Sequence, residues 1–204
     1  MEKIDFKKHL KHLYSPSAKK VEIVEVPQMN FLMVDGDGDP NTSKSFSDAI
    51  EAIYPISYTL KFMVKNGEIG IDYGVLPLEA VWWADDMSAF TTGDKDAWKW
   101  TVMMMQPEFI VSKMVEKAKK EVERKKKPVS LPLVRFETFK EGKAAQILHI
   151  GPFSAEGPTI EKVHSFISIN GSHRIGKHHE IYLSDIRRAA PEKWKTIVRQ
   201  PMSS

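Results

Sequence analysis

Two glutamates lie inside segments that are otherwise apolar and aromatic. Glu180 stands two residues before Tyr182, and Glu79 precedes the apolar run of residues 80–83. If both segments are strands, alternation places Glu180 and Tyr182 on one face. A carboxyl group on an aromatic cavity wall either binds a cation, helped by cation–π attraction, or has a raised pKa and acts as general acid or base. The alternative is a half-exposed sheet surface, and periodicity alone leaves both interpretations open.

Aromatic and methionine side chains are concentrated in the first half of the chain. They are Tyr54, Tyr58, Tyr73, Trp82, Trp83, Trp98, Trp100 and the run Met103, Met104 and Met105. Such side chains usually form the core, but they also line broad hydrophobic pockets. Their types alone do not separate these two roles.

The histidines and acids do not form a metal-binding pattern. On a strand, His178 and Glu180 would share one face and His179 would point the other way, so at most two ligands converge locally. Residues 35–39 superficially resemble a calcium loop, but its twelfth position is Phe46 and not glutamate. The chain has no cysteine. We therefore expect neither a metal nor a cofactor.

The composition predicts a soluble, globular, cytoplasmic protein. The 204 residues are 42% hydrophobic and 28% charged, and the formal net charge is +3. No apolar run is long enough for a membrane helix, and the first residues lack the apolar stretch of a signal peptide. The basic run of residues 121–127 could contact nucleic acid or an anionic membrane, but a solvated helix end is the simpler interpretation. We expect no nucleic-acid or membrane partner.

The first half of the sequence predicts strands and three helices. A short helix over residues 4–14 is followed by strands at 21–26 and 30–34, and a turn-rich loop covers 35–41. A helix beginning at Thr42 or Ser43 is expected to end near Pro55. Strands are then predicted at 76–83 and 98–105, with a long helix at 108–127.

The second half repeats this order. It predicts a hairpin of strands 133–140 and 144–150 around Glu141 and Gly142, a helix at 155–169, and strands at 178–184 and 194–199. Residues 100–107 also align without a gap to residues 194–201. We therefore predict an α+β fold, a tandem βαββ repeat with pseudo-two-fold symmetry. Residues 1–20 would be a helical extension and 21–204 one domain, with halves at about 21–127 and 128–204.

Several motifs in order resemble the GyrI-like small-molecule-binding family. They are the segments 34–41, 58–62, 77–79 with Trp82 and Trp83, and 176–185 with Arg187, Arg188, Gln200 and Pro201. The resemblance implies an antiparallel sheet with helices on one face and a ligand cleft on the other. Ala80 stands where the family pattern has glycine.

Relatives in this family include effector-binding domains of multidrug-sensing transcription activators, which bind lipophilic cations against a buried glutamate. Others are hydrolases that open the cyclopropane ring of DNA-alkylating natural products. Carried over by position, the central glutamate is Glu180, with Tyr182 beside it and Glu79, Trp82 and Trp83 opposite. Since twenty residues before the domain cannot hold a helix-turn-helix, a transcription factor is not expected.

Three functions follow as hypotheses. The first is binding of amphipathic aromatic or cationic small molecules, and the predicted ligand-binding residues are Tyr58, Tyr73, Glu79, Trp82, Trp83, Trp100, Glu180 and Tyr182. The second is a cyclopropane-opening hydrolase, with Glu180 as general acid or base and Tyr182 or Glu79 as its partner. The third is a scaffold that contacts proteins through the basic run. We rank them in that order.

Overall fold

The computed structural model describes residues 2–204, and within that range every side chain except that of Thr91. The strands are β1 (Glu2–Ile4), β2 (Glu22–Asp37), β3 (Ile71–Tyr73), β4 (Leu78–Trp83), β5 (Lys99–Gln106), β6 (Arg135–Ile150), β7 (His178–Tyr182) and β8 (Lys195–Pro201). The helices are α1 (Phe6–His9), α2 (Lys11–Tyr14), α3 (Lys44–Asn66), α4 (Ala89–Thr92), α5 (Ser112–Lys125) and α6 (Gly157–Ile169). The chain is thus a mixed α+β protein whose strand pairing is mostly antiparallel, as the sequence predicts.

The chain forms two compact units that are interleaved along the sequence. Unit 1 comprises residues up to Phe6, Met29–Leu76 and Trp82–Phe139, and unit 2 comprises Lys7–Gln28, Pro77–Val81 and Lys140–Ser204. The tandem βαββ repeat, its pseudo-symmetry and the two successive halves stay predictions. No helix within residues 2–204 has the length and apolarity that crossing a membrane requires.

In unit 1, β2 pairs with β5 in antiparallel register, from Asn30 opposite Gln106 to Asp37 opposite Lys99. The short strands β1 and β3 form a separate parallel pair. Helix α3 packs on α5, β3 and β5. These contacts bury the apolar faces of both long helices in one core.

In unit 2, the strand order is β4, β7, β8, β6, and β8 lies antiparallel to both β7 and β6. One side of this sheet is covered by α6. The core beneath the helix consists of Ala145, Ile147, Val163, Ile167, Val198 and Met202. Since β7 is hydrogen-bonded on both sides, the side chains of residues 178–182 are held in fixed alternation.

Three predicted element boundaries are wrong. Helix α3 does not end near Pro55 but continues to Asn66. Its buried stripe of Ile53, Ile56, Leu60 and Val64 spans the proline, and burial of these side chains outweighs the one backbone hydrogen bond that Pro55 cannot donate.

The second correction concerns Glu141 and Gly142. Residues 135–150 form one continuous strand and not a hairpin. Gly142 adopts a positive φ of 78° within that strand, which glycine tolerates without strain. Strand β2 is likewise continuous, where the sequence predicts two strands.

Candidate functional site

The site is built around Glu180 on β7. Its Oε1 accepts a 3.1 Å hydrogen bond from His178 Nε2, and its Oε2 accepts a 2.8 Å hydrogen bond from the Tyr182 hydroxyl. These two donors are the i−2 and i+2 neighbours, which strand alternation places on the same face. Burial tends to raise the pKa of Glu180, but the hydrogen bonds from His178 and Tyr182 outweigh it and lower the pKa. The group is therefore a carboxylate, and its side chain is 15% exposed.

A second carboxyl group, that of Glu156, lies beside Glu180. Glu156 follows a 3₁₀ turn, Phe153–Ala155, and immediately precedes α6, and it is only 4% exposed. Burial first, and then the negative charge of Glu180, raise the pKa of Glu156 to about 9. At neutral pH the two carboxyl groups therefore differ, because Glu156 keeps its proton and Glu180 does not.

The polar atoms around Glu156 are incompletely paired. The Thr196 hydroxyl on β8 faces the Glu156 carboxyl group. Within the described part of the chain, neither Thr196 Oγ1 nor Glu156 Oε1 makes a hydrogen bond of good geometry. Buried polar atoms without partners are rare in proteins, and a bound water, an ion, strain or a catalytic role accounts for them.

The Tyr182 ring, whose hydroxyl contacts Glu180, is the first of three aromatic rings in successive contact. The Phe153 ring meets Tyr182 edge-to-face with centroids 5.7 Å apart, and it lies 5.0 Å from the Trp194 ring. Trp194 is fixed by a 2.8 Å hydrogen bond from its Nε1 to the Ala189 carbonyl oxygen. Phe153 is 39% exposed, so an aromatic surface is accessible next to the Glu180 carboxylate.

The opposite face of β7 carries a buried ionic network centred on His179. His179 Nε2 donates to Glu79 Oε2 and Nδ1 donates to Glu141 Oε1, each at 2.9 Å. The Tyr14 hydroxyl donates to the other oxygen of Glu79 at 2.9 Å. Burial opposes a charged imidazole, but the Glu141 charge and the hydrogen bonds to both glutamates outweigh it and raise the pKa of His179 to about 9.

Arg199 completes this network. Its guanidinium donates to Glu141 at 3.1 Å, to Gln146 at 2.9 Å and to the Leu13 carbonyl oxygen at 2.8 Å. Burial raises the pKa of Glu141, but His179 and Arg199 outweigh it and lower that pKa to about 2. Every partner is satisfied, so this network fixes the strand and Glu79 lies in it, on the face of β7 opposite to that of Glu180.

Of the predicted site residues, Glu180 and Tyr182 are brought together. Trp82 and Trp100 contact a common neighbour in unit 1, since the Phe46 ring lies 5.5 Å from Trp82 and 5.0 Å from Trp100. The indole N–H groups of Trp82, Trp98 and Trp100 are buried and lack a hydrogen-bond partner among the described residues. These rings form an aromatic cluster of their own.

The remaining predicted residues are dispersed in unit 1. Tyr73 is buried against Phe6 and Phe109, whereas Tyr58 is 48% exposed on α3. Trp83 is half-buried at the end of β4. A ligand-binding role for these residues stays a prediction.

No pattern in the sequence marks Glu156, Phe153, Thr196 or Trp194 as site residues. Phe153 lies in a segment that the sequence predicts as a turn, and Glu156 lies at the start of the predicted helix 155–169, where no periodicity marks it. For Thr196 and Trp194 the sequence predicts only a place in the strand 194–199. The pairing of β7 with β8 places Thr196 opposite Tyr182, and Trp194 contacts Phe153. Across residues 2–204, no group of three or more His, Asp or Glu side chains could hold a metal ion.

Comparison with known families agrees with the sequence motifs. The model of the GyrI-like small molecule binding domain matches residues 19–201. The chain belongs to the GyrI-like family. The match includes β7, Glu156 and the aromatic residues around Glu180, so the site lies within the GyrI-like domain.

Solved structures of Listeria innocua proteins are similar over the full GyrI-like chain. A conserved protein has 44% identity and a TM-score of 0.90, and the alignment covers 98% of this chain and 100% of that one. A protein described as a hydrolase has 42% identity and a TM-score of 0.85, with the same coverage of 98% and 100%.

More distant similarity is restricted to the fold. The C-terminal domain of EcmrR has 12% identity and a TM-score of 0.56, with 91% of this chain and 98% of that domain aligned. None of the curated proteins compared with the chain matches it in sequence.

Proposed function

We propose that this GyrI-like protein binds aromatic, positively charged small molecules at Glu180. The observation that carries the proposal is the partly exposed Glu180 carboxylate, held in its charged form by His178 and Tyr182. A carboxylate with little hydration gains most from a cationic partner, because its interaction is screened least.

The neighbouring rings supply the rest of the recognition. Phe153, Tyr182 and Trp194 form an aromatic surface next to the negative charge. Ring faces attract cations by about 0.5–2 kcal/mol, and they bury apolar area of a flat ligand. An amphipathic aromatic cation combines both features.

Fluorescence titration with ethidium, a permanently charged aromatic monocation, tests this function. Glu180→Gln keeps the size of the side chain and removes the charge, so we expect affinity to fall about 10- to 100-fold, as for a lost hydrogen bond or contact to a charged group. Glu192→Gln, at an exposed glutamate of the same unit, is the matched control and should bind as the unmodified chain does. Equal ethidium affinity in Glu180→Gln would remove Glu180 from the site.

A second candidate function is hydrolysis of an electrophilic ring. Two observations favour it: Glu180 is ionised beside a protonated Glu156, and a relative with 42% identity over the full chain is described as a hydrolase. Glu180 would take a proton from water as the oxygen attacks a cyclopropane carbon. The ring C–C bond would break, its electron pair would pass to the other ring carbon or, through conjugation, to a carbonyl oxygen, and Glu156 or Tyr182 would donate a proton to that atom.

Incubation with a cyclopropane-containing DNA alkylator tests the hydrolase hypothesis. Mass spectrometry should show a product heavier by one water, formed faster than in buffer. We expect Glu180→Gln and Tyr182→Phe to slow its formation. Product formation at the buffer rate, or at an undiminished rate in both variants, would contradict this hypothesis.

A further inference from the structure

Helix α3 has a second apolar face, on the side away from its buried stripe. Tyr54, Tyr58 and Phe62 are spaced four residues apart and are 36%, 48% and 50% exposed. Side chains at this spacing form one row along a helix, so the three rings extend over roughly 12 Å of its outer surface. The helix is therefore apolar on its outer face as well as on its inner one.

Such a row is unusual on the outer face of a surface helix, which is normally charged or polar. Helix α5 in the same unit follows the usual pattern, since Lys113, Glu116, Lys117 and Lys120 are exposed along it. Aromatic side chains are instead enriched where proteins contact one another. The outer face of α3 thus has the composition of an interaction surface.

Two opposite charges flank the aromatic row symmetrically. Glu51 lies seven residues before Tyr58 and Lys65 lies seven residues after it, about two helical turns in each direction, so all three share one face. Glu51 is exposed, and Lys65 is partly exposed. Asp72 contacts both Lys61 and Lys65 at 2.8 Å, so this group of three keeps one positive charge.

We propose that a second copy of this chain packs on the outer face of α3, with the two α3 helices antiparallel about a two-fold axis at Tyr58. Tyr58 then meets its own counterpart, and Tyr54 of each copy meets Phe62 of the other. Each Glu51 faces Lys65 of the other copy, which gives two ion pairs per dimer. Parallel helices would place like charges together, so the charges select the antiparallel arrangement.

The dimer should be weak, because a single pair of helices buries less surface than a permanent interface. We expect a dissociation constant of about 10–100 µM, as for a small transient contact. Sedimentation velocity of the full chain from about 1 to about 500 µM brackets this value and should show a shift from monomer to dimer. A chain that stays monomeric throughout overturns the inference.

Charge reversal tests which residues meet in the dimer. Glu51→Lys and Lys65→Glu should each weaken the dimer at least about tenfold, because each turns both ion pairs into contacts between like charges. An equal mixture of these two variants should dimerise again, since each reversed charge then faces an opposite one. Recovery in the mixture would also show that both variants are folded. Glu192→Lys, at an exposed glutamate of unit 2, changes the net charge equally and should dimerise as the unmodified chain does.

Tyr58→Ala tests the aromatic row. It removes a ring from each side of the axis and should weaken the dimer about tenfold. An unchanged dimer in Tyr58→Ala, or in both charge-reversal variants, would place the contact elsewhere and overturn the inference. If each charge-reversal variant is monomeric and their mixture stays monomeric too, the antiparallel pairing is wrong.

This inference goes beyond the proposed binding function, because it involves none of the residues around Glu180. Ethidium titration of the same samples keeps the two apart. A dimer that does not bind ethidium contradicts only the proposed function, whereas a monomer that binds it through Glu180 contradicts only the inference.

Discussion

The Tyr182 hydroxyl donates a 2.8 Å hydrogen bond to Oε2 of Glu180, two residues earlier on the same face of β7. A tyrosine in this position stabilises the carboxylate, and its ring also adjoins Phe153. One side chain therefore sets both the charge state of Glu180 and the aromatic surface beside it.

Tyr182→Phe separates these two contributions. The variant keeps the ring and removes the hydroxyl, so the pKa of Glu180 should rise and ethidium affinity should fall about tenfold, less than in Glu180→Gln. Fluorescence titration at pH 7.5 measures the change. Neutral phenanthridine serves as the control ligand, and its binding should be the same in both proteins. An unchanged ethidium affinity would show that the hydroxyl does not support the carboxylate.

Glu141→Gln should strongly destabilise the protein. The substitution leaves Arg199 and His179 with one fewer negative partner in a buried network, and breaking such a pair costs about 3–5 kcal/mol of unfolding free energy. Glu137→Gln is the matched control, because Glu137 lies on the same strand in an exposed ion pair with Arg135. Its loss should be about 1 kcal/mol or less. Urea unfolding distinguishes the two, and equal losses would contradict the role of the network.

The His179 network should make stability depend on pH in the alkaline range. The pKa of His179 is about 9 in the folded chain, above the ordinary histidine value of 6.5. A raised pKa means that this stabilisation is complete below about pH 6.5 and is lost as pH rises through 9, on the order of 3 kcal/mol in total. The pKa of Glu156 is also raised, so Glu156 likewise makes the free energy of unfolding fall as pH rises, between about pH 4.5 and 9.

The effect of His179 is therefore measured in the Glu156→Gln variant, which lacks the titrating Glu156 carboxyl group. Urea unfolding from pH 6 to 9.5 should show a decline in Glu156→Gln and a flatter profile once His179→Gln is added. In acid, stability changes in the opposite direction and falls as pH falls. The pKa of Glu141 is about 2, so its stabilisation is present above about pH 4.5 and is lost as pH falls toward 2. Identical alkaline profiles with and without His179 would refute this assignment.

Gly36→Ala should destabilise unit 1. Gly36 on β2 is directly opposite Trp100 on β5, and a Cβ atom at this position would overlap the indole ring. Trp100 is fully buried and cannot move aside, so we expect a loss of about 1–3 kcal/mol. Gly74→Ala is the control, because nothing lies within 4 Å of its added Cβ. Thermal unfolding measures both, and a stable Gly36→Ala would mean that the ring can shift.

The sequence predicts the parts of this molecule that depend on local periodicity. Helix α6, strand β7 and the alternation that joins Glu180 to Tyr182 all follow from spacing. The continuation of α3 through Pro55 does not, because it depends on a stripe buried by tertiary packing. Gly142 is similar: its positive φ suits a turn, but Glu141 beside it is held by His179 and Arg199 from distant segments.

The candidate site likewise contains residues that a local pattern predicts and residues that only the fold brings together. Glu180 and its hydrogen-bond donors are within two residues of one another, so a single strand reveals them. Glu156 lies 24 residues away in a turn, and only the folded chain brings it to Glu180. Glu79 also lies in an apolar, aromatic segment, as a binding-site carboxyl group would, but its hydrogen bond to His179 places it on the other face of β7.

Consecutive residues of β7 point to opposite faces of the sheet and have different roles. His179 anchors the strand from one side through Glu79 and Glu141, while Glu180 and Tyr182 project from the other. Libraries that randomise residues 178, 180 and 182 therefore leave the anchoring contacts intact. New dye or drug sensors could be selected on this scaffold without first rescuing its folding.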